Sequence, residues 1–279
     1  MRNMLKPRWL VEMVAVWGYV QRNYFLTKRY FMWEVVWLVY ITANAMAITF
    51  IGAGVEDVSG KEVDTAHLMT FLMVGALIWS YLSVLFDVLS ETVSWERWEG
   101  TIEYTFMSPS SRVTHLLGMG IYAVVYGIAQ IAIMFGVVTL FFELDLSEAN
   151  YWGALLVLAT CSVSLVGFGV VAAVLPLLSP EKGQQVSYIV SSLLLLVSGV
   201  YYPVDVLPEW MQAIATVSPV TYALEGSRAA LLEGDGAAQL WEDIWPLIIM
   251  GAVFVPLGLW IFNLGERYAK RTGKLKRSG

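Results

Sequence analysis

Ser90–Arg112 reads SETVSWERWEGTIEYTFMSPSSR, and the chain on either side of it decides the fold. Within it, Trp95, Trp98 and Ile102 recur at spacings of three and four. That spacing predicts one helix over Val93–Phe106 with an aromatic–aliphatic face. Glu96, Arg97, Glu99, Gly100, Thr101 and Glu103 fill the remainder, and Ser108-Pro109 ends the helix. Before it lies an apolar run, Ala66–Phe86, and after it another, Val113–Phe142. A hydrocarbon layer ~30 Å thick needs about 20 apolar residues to cross. The stretch is therefore a charged connector between two membrane spans.

Four more apolar runs follow outward: Phe31–Ile51, Tyr151–Leu178, Gln185–Tyr202 and Ile244–Leu264. Pro176 is expected to end or kink the second of these. The third is short for a span. The expected fold is all-α, a membrane protein of six transmembrane helices. Residues 1–30 form an N-terminal interfacial helix, with Leu10, Met13, Trp17, Val20 and Tyr24 at helical spacing; burial against other protein is the alternative. Residues 31–264 form the six-span domain, with the connector at 90–112. Residues 203–234 hold two short helical patterns, Pro208–Val217 and Val220–Leu232, split by Ser218-Pro219. Helices this short read as re-entrant or interfacial. Residues 265–279 form a basic tail.

Charge assigns the sides. With six spans, 15 of the 17 Lys and Arg fall on one side, leaving only Lys61 and Arg228 opposite. Cytoplasmic loops carry the basic residues, so both termini are expected in the cytoplasm. The net charge of −6 belongs to the outer loops, where 14 of 23 acidic residues fall.

Composition excludes several classes. The chain is 279 residues long, 58% apolar and only 14% charged, with a mean hydropathy of +0.64. A soluble domain runs nearer one quarter charged. A disordered chain, a disulfide scaffold and a nucleic-acid module are ruled out; Cys161 is the single cysteine. A phosphate-cradling loop needs G-x-x-x-x-G-K-S/T, and neither Gly60-Lys61 nor Gly273-Lys274 sits in that frame. His67 and His115 have no Cys or carboxylate cluster near them in sequence, so no metal site is expected. No catalytic constellation is visible. No span centre carries a charged residue, which argues against an ion-coupled carrier.

Two readings of the connector stand level on chemistry alone. Its tryptophans rest on lipid headgroups, or they dock into a groove on a soluble partner. A resemblance bears on this. ERWEGTIEYTFMSPSSRVTHLLG (Glu96–Gly118) resembles the E-R-x-x-G-T-L/I-E-x-L-x-x-S-P-x-S-R-x-x-x-L-x-G signature of type-2 ABC exporter permeases. SGVYYPVDVLPEWMQAIATVSPVTYALEGSRAALLEG (Ser198–Gly234) resembles that family's second signature, before its last span. Phe106 and Met107 stand where Leu-Leu is commoner, and keep an apolar patch. The resemblance covers essentially the whole chain after Tyr30.

That resemblance implies a membrane subunit that pairs with a second permease copy, the same chain or a different one, and binds two copies of a separate ATP-hydrolysing subunit. ATP and magnesium would be held by that partner, with no cofactor in this chain. Val93–Phe106 would be the coupling helix. Tyr201, Tyr202, Pro203, Leu207, Pro208, Ser218 and Pro219 would belong to a re-entrant pair closing the outer side. The setting would be a prokaryotic inner membrane, in contact with its lipids. Drug-like or lipid export leads; polysaccharide or glycolipid export is the runner-up, and a stand-alone channel or carrier is the rival class. Trp79, Tyr81, Tyr122, Tyr126, Tyr201 and Tyr202 are candidates to line a path, although aromatics also form interface belts and packing cores.

Overall fold

The computed structural model describes residues 8–59, 64–108, 110–142, 148–179 and 182–273. Lys61 and the basic residues Arg2, Lys6, Lys274, Lys276 and Arg277 lie outside them. Among the described residues the structure is almost entirely helical, with no strand. The helices are α1 (Arg8–Arg29), α2 (Phe31–Ser59), α3 (Thr65–Ser90), α4 (Thr92–Trp98), α5 (Ile102–Met107), α6 (Arg112–Val138), α7 (Tyr151–Ala172), α8 (Val174–Leu178), α9 (Gly183–Val197), α10 (Glu209–Ala215), α11 (Pro219–Leu232) and α12 (Trp241–Arg271).

Five stretches are long and apolar enough to cross a membrane: Phe31–Val55, Thr65–Ser90, Arg112–Val138, Tyr151–Leu178 and Trp241–Arg271. The α9 helix is shorter. Its 15 residues reach about 22 Å at 1.5 Å per residue. Pro176 acts as expected, with the break one turn earlier. Helix α7 ends at Ala172, four residues before the proline, where the ring would strike the carbonyl and no N–H returns.

Helix α3 lies at the centre. Met73, Leu77, Tyr81 and Leu85 form one core with Val157, Cys161 and Leu165 of α7, Val220 and Leu224 of α11, and Leu247 of α12. A second core at the connector end joins Val93, Ile102, Phe106, Leu116, Leu177 and Phe262. Helices α7 and α12 meet backbone to backbone. A Cβ on Gly258 would lie 2.5 Å from the Gly167 carbonyl oxygen, and one on Gly167 would lie 2.4 Å from the Phe254 carbonyl carbon. Lipid gives helices no hydrophobic drive to associate, so small residues that permit close contact hold such pairs.

Helix α1 is amphipathic in use. One side packs on α6, where a Cβ on Gly118 would meet the Tyr19 Cβ at 2.6 Å. Its other side leaves Trp9, Met13 and Trp17 exposed.

Candidate functional site

The connector is anchored along one side and bare along the other. It is not the single helix expected over Val93–Phe106. Helix α4 stops at Trp98, and Gly100 takes φ +72°, a left-handed conformation that a Cβ disfavours. The chain re-enters helix only at Ile102. That break corrects the expected face: Ile102 is fully buried in the second core, while Trp95 and Trp98 are 46% and 62% exposed. The two indoles meet edge to face at 5.3 Å. Helix α5 adds Tyr104 and Met107, which are almost bare. The outward ridge is Trp95, Trp98, Tyr104 and Met107. The last two were missed because a continuous helix from Trp95 puts them in a different register.

Glu96 knots the anchored side. It is 1% exposed. Arg22 Nη1 of α1 donates to Glu96 Oε1 at 2.9 Å, and Arg22 Nη2 donates to Thr101 Oγ1 at 2.8 Å. His115 Nε2 of α6 lies 3.0 Å from the same Glu96 oxygen, and the Tyr19 ring packs 4.7 Å from the imidazole. Burial alone would raise the Glu96 carboxyl, but His115 and Arg22 outweigh it and hold it below the usual carboxylate range. His115 thus faces one buried carboxylate. Among the described residues no group of three His, Cys, Asp or Glu could hold a metal ion.

Other ties complete the anchor. Arg97 is buried and donates to the Leu177 carbonyl of α8 at 3.4 Å; burial lowers its guanidinium from the ordinary value. Arg112 donates to the Thr105 and Phe106 carbonyls at 2.8 and 2.7 Å, capping α5. Its Nε reaches Glu266 of α12 at 3.1 Å, and Lys270 pairs with the same oxygen at 2.7 Å. Tyr30 donates to Glu99 at 3.0 Å, and its ring lies 5.7 Å from Trp98. Glu103 is exposed. Helices α1, α6, α8 and α12 all hold the connector.

The second group of predicted residues lies at the other end of α3. The short helices fall at Glu209–Ala215 and Pro219–Leu232, within two residues of the expected bounds. Ser218 Oγ lies 2.8 Å from Ser198 Oγ, and Cys161 Sγ donates to the Pro219 carbonyl at 3.5 Å. Gln212 holds the Leu207 carbonyl at 2.8 Å. Pro208 occupies the position just before α10, and Tyr202 donates to the Leu196 carbonyl. Tyr201 packs against the main core, and Pro203 is exposed. The residue that fastens this end is Arg228, which the sequence marked only as a stray cation. It donates to the Gly199 and Val200 carbonyls at 2.9 and 2.6 Å.

The candidate path residues divide. Tyr81 is fully buried and bonded to Ser162 at 2.6 Å; it packs and lines nothing. Trp79 leans on the main core. Tyr122 and Tyr126 stack at 5.7 Å, with their hydroxyls on Thr27 and Glu34, so they fasten α6 to α1 and α2. The three groups are not brought together.

A family model described as ABC-2 type transporter matches residues 15–232. The probable multidrug ABC transporter permease YbhR of Escherichia coli is 23% identical over 168 residues, 59% of this chain and 44% of that protein. The daunorubicin resistance ABC transporter permease protein of Streptomyces coeruleorubidus is 29% identical over 165 residues, 57% of this chain and 54% of that protein. The chain thus spans about half the length of the curated relatives it matches. With the matched residues running from α1 through the anchored connector to the end of α11, the chain belongs to the ABC-2 type transporter family.

Proposed function

We propose that this chain is the membrane-spanning subunit of an ATP-driven exporter, and that it docks a separate ATPase through the ridge of Trp95, Trp98, Tyr104 and Met107. The carrying observation is the connector's asymmetry: one side is anchored to four helices by Glu96, Arg97 and Arg112, while the other bares two indoles, a phenol and a thioether. Apolar side chains of this kind are the usual anchors of a protein interface. Closure of two ATPases would move the connectors and, through α1, α6, α8 and α12, switch the side to which the path opens.

In this reading the membrane is crossed six times, with α9 as a short fifth span and α10–α11 as a re-entrant pair. The basic residues then put both termini in the cytoplasm of a prokaryotic inner membrane. The exposed apolar faces of α2 and α6 meet lipid or a second permease copy. ATP and magnesium sit in the partner. The chain's similarity to a multidrug permease and a daunorubicin resistance permease favours a drug-like substrate. The test is co-expression with an ABC-type ATPase, sought among the neighbouring genes. A stable complex that hydrolyses MgATP, with no turnover by the purified chain alone, supports the reading. Proton-driven transport by the chain alone overturns it.

A further inference from the structure

Helix α1 carries a second surface besides the one that grips the connector. Trp9, Met13, Trp17, Tyr24 and Lys28 follow one another at spacings of four and seven, which puts them on one helix face. All five are exposed. The opposite face is committed to protein. Glu12 accepts from Thr114, and the Tyr19 hydroxyl lies 2.8 Å from that of Ser110. Arg22 holds Glu96 and Thr101, and Thr27 meets Tyr122. These partners all lie in the connector or in the first half of α6.

The bare face ends in two cations at the start of a membrane span. Lys28 and Arg29 close α1, and α2 begins at Phe31. Both cations are exposed, and among the described residues neither makes an ion pair. Arg22, Arg112 and Lys270, by contrast, each pair with a glutamate. Arg29 lies 5.5 Å from the centre of the Tyr30 ring, and Phe31 and Trp33 stand exposed just inside the span. A helix that bares aromatic side chains and ends in cations at a span boundary belongs in the headgroup layer. Charge selects the lipid. Water solvates a lone cation but leaves Trp9, Trp17 and Tyr24 uncovered, whereas an anionic phospholipid offers a phosphodiester to each cation and acyl chain to the rings.

We propose that the bare face of α1 is a binding surface for anionic phospholipid, with Lys28 and Arg29 on the phosphodiester groups, and that this seating steadies the connector. Arg22, on the same helix, holds Glu96 and Thr101, so lifting α1 from the membrane surface strains those bonds. The connector is thereby made responsive to the charge of the leaflet beside it. The surface lies within one copy of the chain and needs no ATPase, so it stands independently of the export reading.

The experiment uses the purified full chain in nanodiscs of equal phosphatidylglycerol and phosphatidylcholine with matched acyl chains. Native mass spectrometry reads the preference of the tightest lipid site. A cation near a membrane surface is worth about fivefold in preference for anionic lipid. Wild type should therefore prefer phosphatidylglycerol by tenfold or more on the order of two such contacts. Lys28→Gln with Arg29→Gln should remove most of that preference, and Lys28→Arg with Arg29→Lys should keep it. Both residues are exposed, so an unchanged melting temperature in detergent checks that the variants fold. Hydrogen exchange across residues 96–107 should be several-fold slower with phosphatidylglycerol than in phosphatidylcholine alone. The glutamine variant should lose that difference. Equal retention of the two lipids by wild type, as a second protein copy seated on α1 would give, overturns the proposal. So does an unchanged preference in the glutamine variant, or connector exchange that ignores the lipid. A stable ATPase complex beside any of these results would leave the export reading intact.

Discussion

Glu96→Gln keeps the shape of the side chain and removes the charge that ties α1, α4 and α6. Glu96 is almost fully buried, and it faces Arg22 at 2.9 Å and His115 at 3.0 Å. Deleting one member of a buried ion pair costs about 3–5 kcal/mol, because the other charge is left without compensation. The Arg22 side chain is 26% exposed and can turn toward water, which sets the loss near the lower end, about 3 kcal/mol. For a chain of this size that corresponds to a fall in melting temperature of roughly 6–12 °C. Thermal unfolding of the solubilised chain, followed by tryptophan fluorescence, reads it directly. Arg22→Ala in the Glu96→Gln background should add little, since the two act as a unit. The pH dependence has a definite sign. The folded Glu96 carboxyl lies below its unfolded value, so its stabilisation is present above the usual carboxylate range, near pH 4.3, and is lost as pH falls through the lowered folded value. The glutamine variant lacks that part of the acid dependence. A glutamine variant that melts within 1–2 °C of wild type, or fully additive losses in the double variant, would refute the claim that Glu96 knots the connector.

Three further outcomes follow from the packing and the charge. Gly258→Leu drives a side chain into the Gly167 carbonyl, 2.5 Å from the Cβ position, and should abolish recovery of monodisperse protein, whereas Gly136→Leu, where a Cβ meets nothing within 4 Å, should be recovered normally by size-exclusion chromatography. Arg112→Ala removes the cap on α5 and the tie to Glu266; limited proteolysis should then cut the connector several-fold faster than in wild type. A cysteine at Glu148 should react with an impermeant thiol reagent in intact cells, and one at Arg271 should not; labelling of the Arg271→Cys variant from outside would contradict the orientation.

The long spans were legible because an apolar run of 20 residues has few other homes. Pro208 stands one residue before α10, and Gly234 follows α11 with φ +71°. The face of the connector was not legible. Periodicity assumes an unbroken helix, and one left-handed residue, Gly100, resets the register so that Ile102 turns inward and Tyr104 and Met107 turn out. The partners of Arg228 and His115 were not legible for a related reason. A polar residue in an apolar run announces a cost, but its partners, the Gly199 and Val200 carbonyls and the Glu96 carboxylate, lie tens of residues away and appear only once the helices pack. The shortness of α9 was visible in sequence, yet length alone does not say how such a helix is seated.

The most direct test of the central claim is the affinity of the chain for its ATPase across Trp98→Ala. Trp98 is 62% exposed and makes its ring contacts with Trp95 and Tyr30, so the substitution leaves both cores intact and the variant should express and melt as wild type. Burying such an anchor at an interface is worth about 1.5–3 kcal/mol, so complex formation measured on immobilised chain should weaken by one to two orders of magnitude at about 1.4 kcal/mol per tenfold. Unchanged ATPase affinity and unchanged coupled turnover in Trp98→Ala would show that the ridge faces lipid headgroups, and would contradict the account.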